Sequence, residues 1–177
     1  MSSIAVRTVL LANLFFGLLL AVGTVESQEL RIRDAERSAD EYMTAFFQGD
    51  FETAAALTHP DTLTLIQTKF FAELSSGNTT PSDVGLSLSL DELRALSAEA
   101  LYVAVLQADR KRNPGFSEAM REAARVEVIG SRETPDGQVI VRLKMVTPSG
   151  PGSTHTQEGG LILRMAGSRW KVVGNAP

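Results

Sequence analysis

The chain contains no cysteine. That one absence removes disulfides, thiolate metal sites, catalytic thiols and a lipid-modified N-terminal cysteine, so apolar burial must hold the fold. Concentrated positive charge is missing as well. The net charge is -4 and the basic residues are scattered, so the electrostatic footprint of a nucleic-acid binder is absent. Histidine is scarce. The two present, His59 and His155, are far apart and lack acids at ligand spacing, so no metal site is expected. There is no Gly-x-Ser-x-Gly elbow and no glycine-rich loop ending in Gly-Lys-Ser or Gly-Lys-Thr. Serine-nucleophile and nucleoside-triphosphate chemistry are therefore unsupported, and no cofactor is expected.

Long apolar runs are also few. The one that stands out, Val9 to Val22, follows the lone cation Arg7 and precedes the short polar stretch Gly23-Thr24-Val25-Glu26-Ser27. Charged start, apolar centre and small-residue end form the layout of a secretory signal. The run is shorter than the roughly 20 apolar residues of a spanning helix, which favours a cleaved signal at 1–27 over a retained anchor. The expected cut follows Ser27, with Gly23 as the alternative. The expectation is an exported protein, periplasmic or secreted and bacterial, that meets a membrane only through the signal segment. The remainder, 28–177, has the size of one domain, which buries roughly 70% of its unfolded surface.

That remainder divides into a helical half and a strand half. Leu30, Ala35, Ala39, Tyr42, Met43 and Phe46 recur at helical steps, and Gly49 with Asp50 ends one helix and caps the next. His59-Pro60-Asp61 breaks the chain before a third helix bearing Leu63, Ile66, Phe70, Phe71 and Leu74. Thr79 to Ser87 reads as a surface loop. Ser89-Leu90-Asp91-Glu92 is a capping box, Ser97 is a possible second start, and Arg110-Lys111-Arg112 complements the dipole at a helix end. Phe116 to Arg121 is ambiguous, with one short turn as its reading. Then the period changes to two. Val126 and Val128 are followed by the turn Pro135-Asp136-Gly137, and Val139, Val141, Leu143 and Met145 share the face of a second strand. Pro148 to Ser153 reads as a loop. A third strand from about His155 carries Leu161, Leu163 and Met165, with a bulge or bend expected at Gly159-Gly160. A last strand carries Trp170 and Val172. Helices followed by consecutive antiparallel strands predict an α+β domain, with helices on a curved sheet of about four strands that encloses a cone-shaped cavity.

Phe46-Phe47-Gln48-Gly49-Asp50-Phe51, the His-Pro-Asp break and the ending Arg169-Trp170-Lys171-Val172-Val173 give the chain a family likeness. It resembles the nuclear transport factor two-like superfamily, whose cystatin-like cone is shared by ketosteroid isomerase and polyketide cyclases. The resemblance covers nearly all of 28–177 and implies architecture rather than chemistry. It places Tyr42 where the isomerases carry a tyrosine that polarises the substrate oxygen. The matching buried strand aspartate is missing: the acids of the strand half are Glu127, Glu133, Asp136 and Glu158, and none reads as buried.

The candidate catalytic side chains are His59, which can exchange protons near neutral pH, its neighbour Asp61, and Tyr42. Each also has a plain reading: His59 as a helix cap, Tyr42 as a core residue with a wet hydroxyl. The cavity candidates are Tyr42, Phe46, Phe70 and Trp170. Adjacent helical residues face different ways, so one of Phe46-Phe47 and one of Phe70-Phe71 is expected in the core, worth roughly 2–3 kcal/mol each when fully buried. The leading expectation is a non-catalytic exported domain that binds a small apolar ligand or a protein partner. The alternatives are an isomerase-, dehydratase- or cyclase-type enzyme using His59 or Asp61 with Tyr42, and a homodimer through the outer sheet face at Ile140, Val146, Ile162 and Val173.

Overall fold

The computed structural model describes residues 27–77, 79–150 and 153–176, so the signal expected at 1–27 lies outside it except for Ser27. The chain divides into two units, Met1–Asp34 and Ala35–Pro177. Residues 27–34 of the first are helical, with Glu29 and Arg33 paired at 4.0 Å one turn apart. Among the described residues no helix is long and apolar enough to cross a membrane.

The second unit is α+β, with its helices first. Helix α1, residues 35–48, stops at Gly49, whose φ of +79° is the left-handed geometry that glycine adopts without strain. Asp50 then accepts from the Thr53 amide at 3.1 Å and caps α2 (Phe51–Ala56). His59 caps α3 (Pro60–Ser75), whose first residue is the proline that needs no amide partner there. The capping box opens α4 (Leu90–Arg94): Ser89 and Glu92 each accept the other's backbone amide. Ser97 begins a separate helix, α5 (Ala98–Arg112), by accepting from the Ala100 amide at 3.1 Å.

One local expectation is corrected and another gains detail. The stretch around Phe116 is a full helix, α6 (Pro114–Ala123), although no side chain caps its start. Without a cap, and with Gly115 in the first turn, its sequence signal is weak; its amphipathic face supplies what the missing cap does not. The loop after Gly77 contains a one-turn 3-10 helix (Ser82–Val84), and its Leu86 is buried. It is therefore a surface loop, as expected, pinned to the core by Leu86.

Strands β1 (Arg125–Glu133), β2 (Val139–Gly150), β3 (Ser153–Ala166) and β4 (Arg169–Ala176) form an antiparallel sheet in sequence order. Pairing runs straight through Gly159 and Gly160, so the bulge expected there is absent. The irregularities are elsewhere. Val128 and Gly130 pair with Leu143 and Arg142, leaving Ile129 extra, while Ile162 and Leu163 pair with Gly174 and Val172, leaving Val173 extra. β2 and β3 also run further than expected, with Pro148 paired to Thr154. Pro148 lies past Val146, the last β2 residue that pairs with β1, where one side of the strand is open and proline is tolerated.

Two apolar clusters form the core. In the first, Ala35, Ala39 and Met43 of α1 meet Val139, Val141, Leu143, Leu161, Leu163, Trp170 and Val172 of the sheet. The small alanines let the helix approach the strands closely. In the second, Leu74, Leu86, Leu93, Leu101 and Ala108 join α3, α4 and α5, with Phe70 and Phe71 packed against them. The edge of β4 is closed by the link between α2 and α3. Val172 donates to the Leu57 carbonyl at 2.8 Å, and His59 donates its amide to the Val172 carbonyl at 2.8 Å.

Candidate functional site

Alternation along β2 and β3 places Leu143, Met145, Gly159 and Leu161 on the face toward α1. The last turns of α1 present Tyr42, Met43, Phe46 and Phe47 to the same side. Between them lies a cavity of about 620 Å³, with Gln157 and Asn175 as polar side chains at its wall. Gly159 keeps this space open. A Cβ built there would lie 3.2 Å from the Met145 methyl, so any larger side chain would project into the cavity. Both residues of the Phe46-Phe47 pair line it, where only one was expected to leave the core. The rings of Tyr42 and Phe46 stack with centroids 6.3 Å apart.

The Tyr42 hydroxyl bonds that of Tyr102 on α5 at 3.1 Å. Burial pushes the Tyr42 phenol well above its ordinary value, and Tyr102 adds to the effect. Tyr42 is therefore a neutral hydrogen-bonding group on an apolar wall. Trp170 belongs to the first core cluster and Phe70 packs against the second, its ring 5.6 Å from that of Phe71. Of the four cavity candidates, the structure brings Tyr42 and Phe46 together at this cavity and places the other two in the cores.

His59 and Asp61 lie at the edge of β4, and neither lines the cavity. His59 is buried, and its Nδ1 accepts from the Asp61 amide at 3.2 Å, closing the first turn of α3. Arg164 of β3 reaches the same imidazole: its Nε lies 3.2 Å from Nε2, and its Nη2 lies 3.2 Å from Nδ1 while also pairing with the Asp61 carboxylate. Both ring nitrogens are thus engaged inside the protein. No pattern of three or four residues could have announced Arg164, because 105 positions separate it from His59 and only sheet register brings them together.

Burial first, then the Arg164 charge, holds the His59 pKa below its ordinary value, against an opposing pull from Asp61. The unfolded chain consequently takes up this proton before the folded chain does. Stability is expected to fall as pH drops through the ordinary histidine value of about 6.5, levelling off below the folded value. Thermal melts from neutral to mildly acidic pH test this, and His59→Asn, which keeps a capping acceptor, should flatten that part of the curve. A His59 ring titration in NMR with a midpoint at or above the ordinary value would overturn the account.

On the outer sheet face, Ile140, Val146, Ile162 and Val173 are all half-buried. Ion pairs are interleaved with them: Arg142 with Glu158 at 2.9 Å and Lys144 with Glu127 at 3.9 Å. Among the described residues no three of His, Asp and Glu are grouped to hold a metal ion. Sequence reasoning missed Phe47, Tyr102, Gly159 and Arg164. The doubled phenylalanine was a signal for Phe47; Tyr102 and Arg164 had none beyond residue type. No family model, curated protein or solved structure matches the chain.

Proposed function

We propose that the protein is an exported, non-catalytic domain that binds a small apolar ligand between α1 and the sheet, on an architecture of the nuclear transport factor two-like kind. The observation that carries this reading is the cavity of about 620 Å³ walled by Tyr42, Met43, Phe46, Phe47, Leu143 and Met145. Ligand sites are typically about 300–1,000 Å³, mostly apolar, with a few polar groups that fix orientation. Gln157 and Asn175 are those groups here. An enzymatic reading needs a base beside Tyr42, and the first candidates, His59 and Asp61, are instead bound to Arg164.

Gly159→Leu is the direct test. Gly159 has no positive φ, so leucine fits the backbone while its side chain fills the cavity. Nile red, a neutral apolar dye, is expected to bind the full chain and to lose at least about tenfold in affinity in the variant, equivalent to about 1.4 kcal/mol. Unchanged affinity would remove the cavity as the site. Turnover of a ketosteroid by the purified protein, abolished by Tyr42→Phe or His59→Ala, would overturn the non-catalytic part.

A further inference from the structure

Arg110 and Lys111 end α5, and Arg121 lies in the last turn of α6. The dipole argument explains cations at a helix end but not why they gather on one groove. A groove of about 550 Å³ runs between α2, α5 and α6, lined by Arg110, Lys111 and Arg121 against one carboxylate, Glu118. Glu118 is paired with Arg121 at 3.9 Å, and Asp109 nearby is held by Arg112 at 3.1 Å. In a chain of net charge -4, this groove has the opposite sign.

A second, mostly apolar space of about 90 Å³ opens beside it, between Phe46, Phe47, Phe51, Leu106 and Met120, with Asp109, held by Arg112, and Asn113 at its polar side. Phe51 and Arg110 line both spaces. The Arg110 guanidinium carbon lies 5.7 Å from the Phe51 ring centroid, within cation–π range. It also lies against Gly49, where any side chain would collide with it: a Cβ would fall 1.0 Å from Nη1. The cation therefore sits where the apolar slot meets the charged groove.

We propose that this is a second ligand site, for a small amphipathic anion: a carboxylate or phosphate monoester with a short apolar tail. The tail enters the slot between Phe46, Phe51, Leu106 and Met120. The head lies on Arg110, Lys111 and Arg121, where charge-assisted hydrogen bonds and bidentate arginine geometry suit either oxyanion. The slot is smaller than the roughly 150 Å³ that admits benzene, so it takes only the last few carbons of the tail, and the rest of a hexyl chain lies along the adjoining groove toward the cations. The site shares only the phenylalanine wall with the cavity between α1 and the sheet, so it stands without that reading.

Isothermal titration of the full chain with hexanoate, n-hexyl phosphate, 1-hexanol and inorganic phosphate tests the proposal. Saturable binding is expected for at least one hexyl anion, whichever oxyanion the groove prefers, with hexanol and inorganic phosphate each at least about tenfold weaker. Lys111→Gln with Arg121→Gln, both at exposed positions, should lower the affinity of that anion about tenfold while lowering the melting temperature by no more than about 4 °C. Salt at about 0.5 M should weaken it in the same sense. Leu106→Trp, which fills the slot, should bring hexyl phosphate down to the affinity of inorganic phosphate. Absence of saturable binding, equal affinity for hexanol, or indifference to the charge variants would each overturn it. Binding that survives those variants but is lost in Gly159→Leu would assign the anion to the other cavity and leave that reading intact.

Discussion

Leu163→Ala is expected to destabilise the protein by about 2–5 kcal/mol, whereas Met165→Ala, two residues along the same strand, should change stability by about 0.5 kcal/mol or less. Alternation puts both side chains on one face of β3, and from sequence they look equivalent. In the fold Leu163 has no exposed surface and Met165 is 41% exposed. Leu163 is enclosed by Val139 across the strand pair and by the α1 residues of the first cluster, so truncation leaves a void that the packed sheet cannot close. Met165 pairs with Trp170 one residue before the last rung of the β3–β4 ladder, where water replaces whatever is removed. For a domain of this size a loss of about 3 kcal/mol lowers the melting temperature by roughly 10 °C. Urea melts of the two variants measure the difference; comparable losses would mean that the cluster does not close over Leu163 as described.

Leu101→Ala should cost a similar amount, about 2–5 kcal/mol, through the second cluster. Leu101 is 1% exposed and packs in a group of helical residues that shares no buried member with the sheet cluster. The double variant Leu101→Ala/Leu163→Ala is therefore expected to be additive within about 0.5 kcal/mol. The denaturant slope should stay constant, because α5 is tied to α1 by the Tyr42–Tyr102 hydroxyl bond and to α3 by packing. A separate transition or a reduced slope in Leu101→Ala would show that the helical cluster melts on its own, contrary to the single cooperative unit assumed.

Much of the fold was legible because its signals are local. Gly49-Asp50, His59-Pro60, Ser89 with Glu92, and Ser97 each end or start a helix through contacts within four residues. Val139, Val141 and Leu143 announce a buried strand face by alternation alone. Where such cues are weak, the reading failed: α6 has no side-chain cap, and the bulge at Val173 carries no glycine. The carbonyl of the extra residue, Val173, meets a partner 111 residues away, the Thr62 hydroxyl, which donates to it at 2.9 Å.

The candidate site follows the same division. By itself the sequence determined the residue types of the cavity wall and marked Tyr42, Phe46, His59 and Asp61, because tyrosine, doubled phenylalanine and a His-Pro-Asp break are visible in one dimension. It also determined what the protein lacks, since a missing cysteine or phosphate loop needs no fold to be missed. Only tertiary structure decided who stands beside whom. Sheet register turned Arg164 toward His59 and left Gly159 facing open space, and the crossing of α1 and α5 joined Tyr42 to Tyr102. Helix and strand periodicity is set by neighbours in the chain. Register and crossing are set by burial of whole faces at once, and no short segment contains that information.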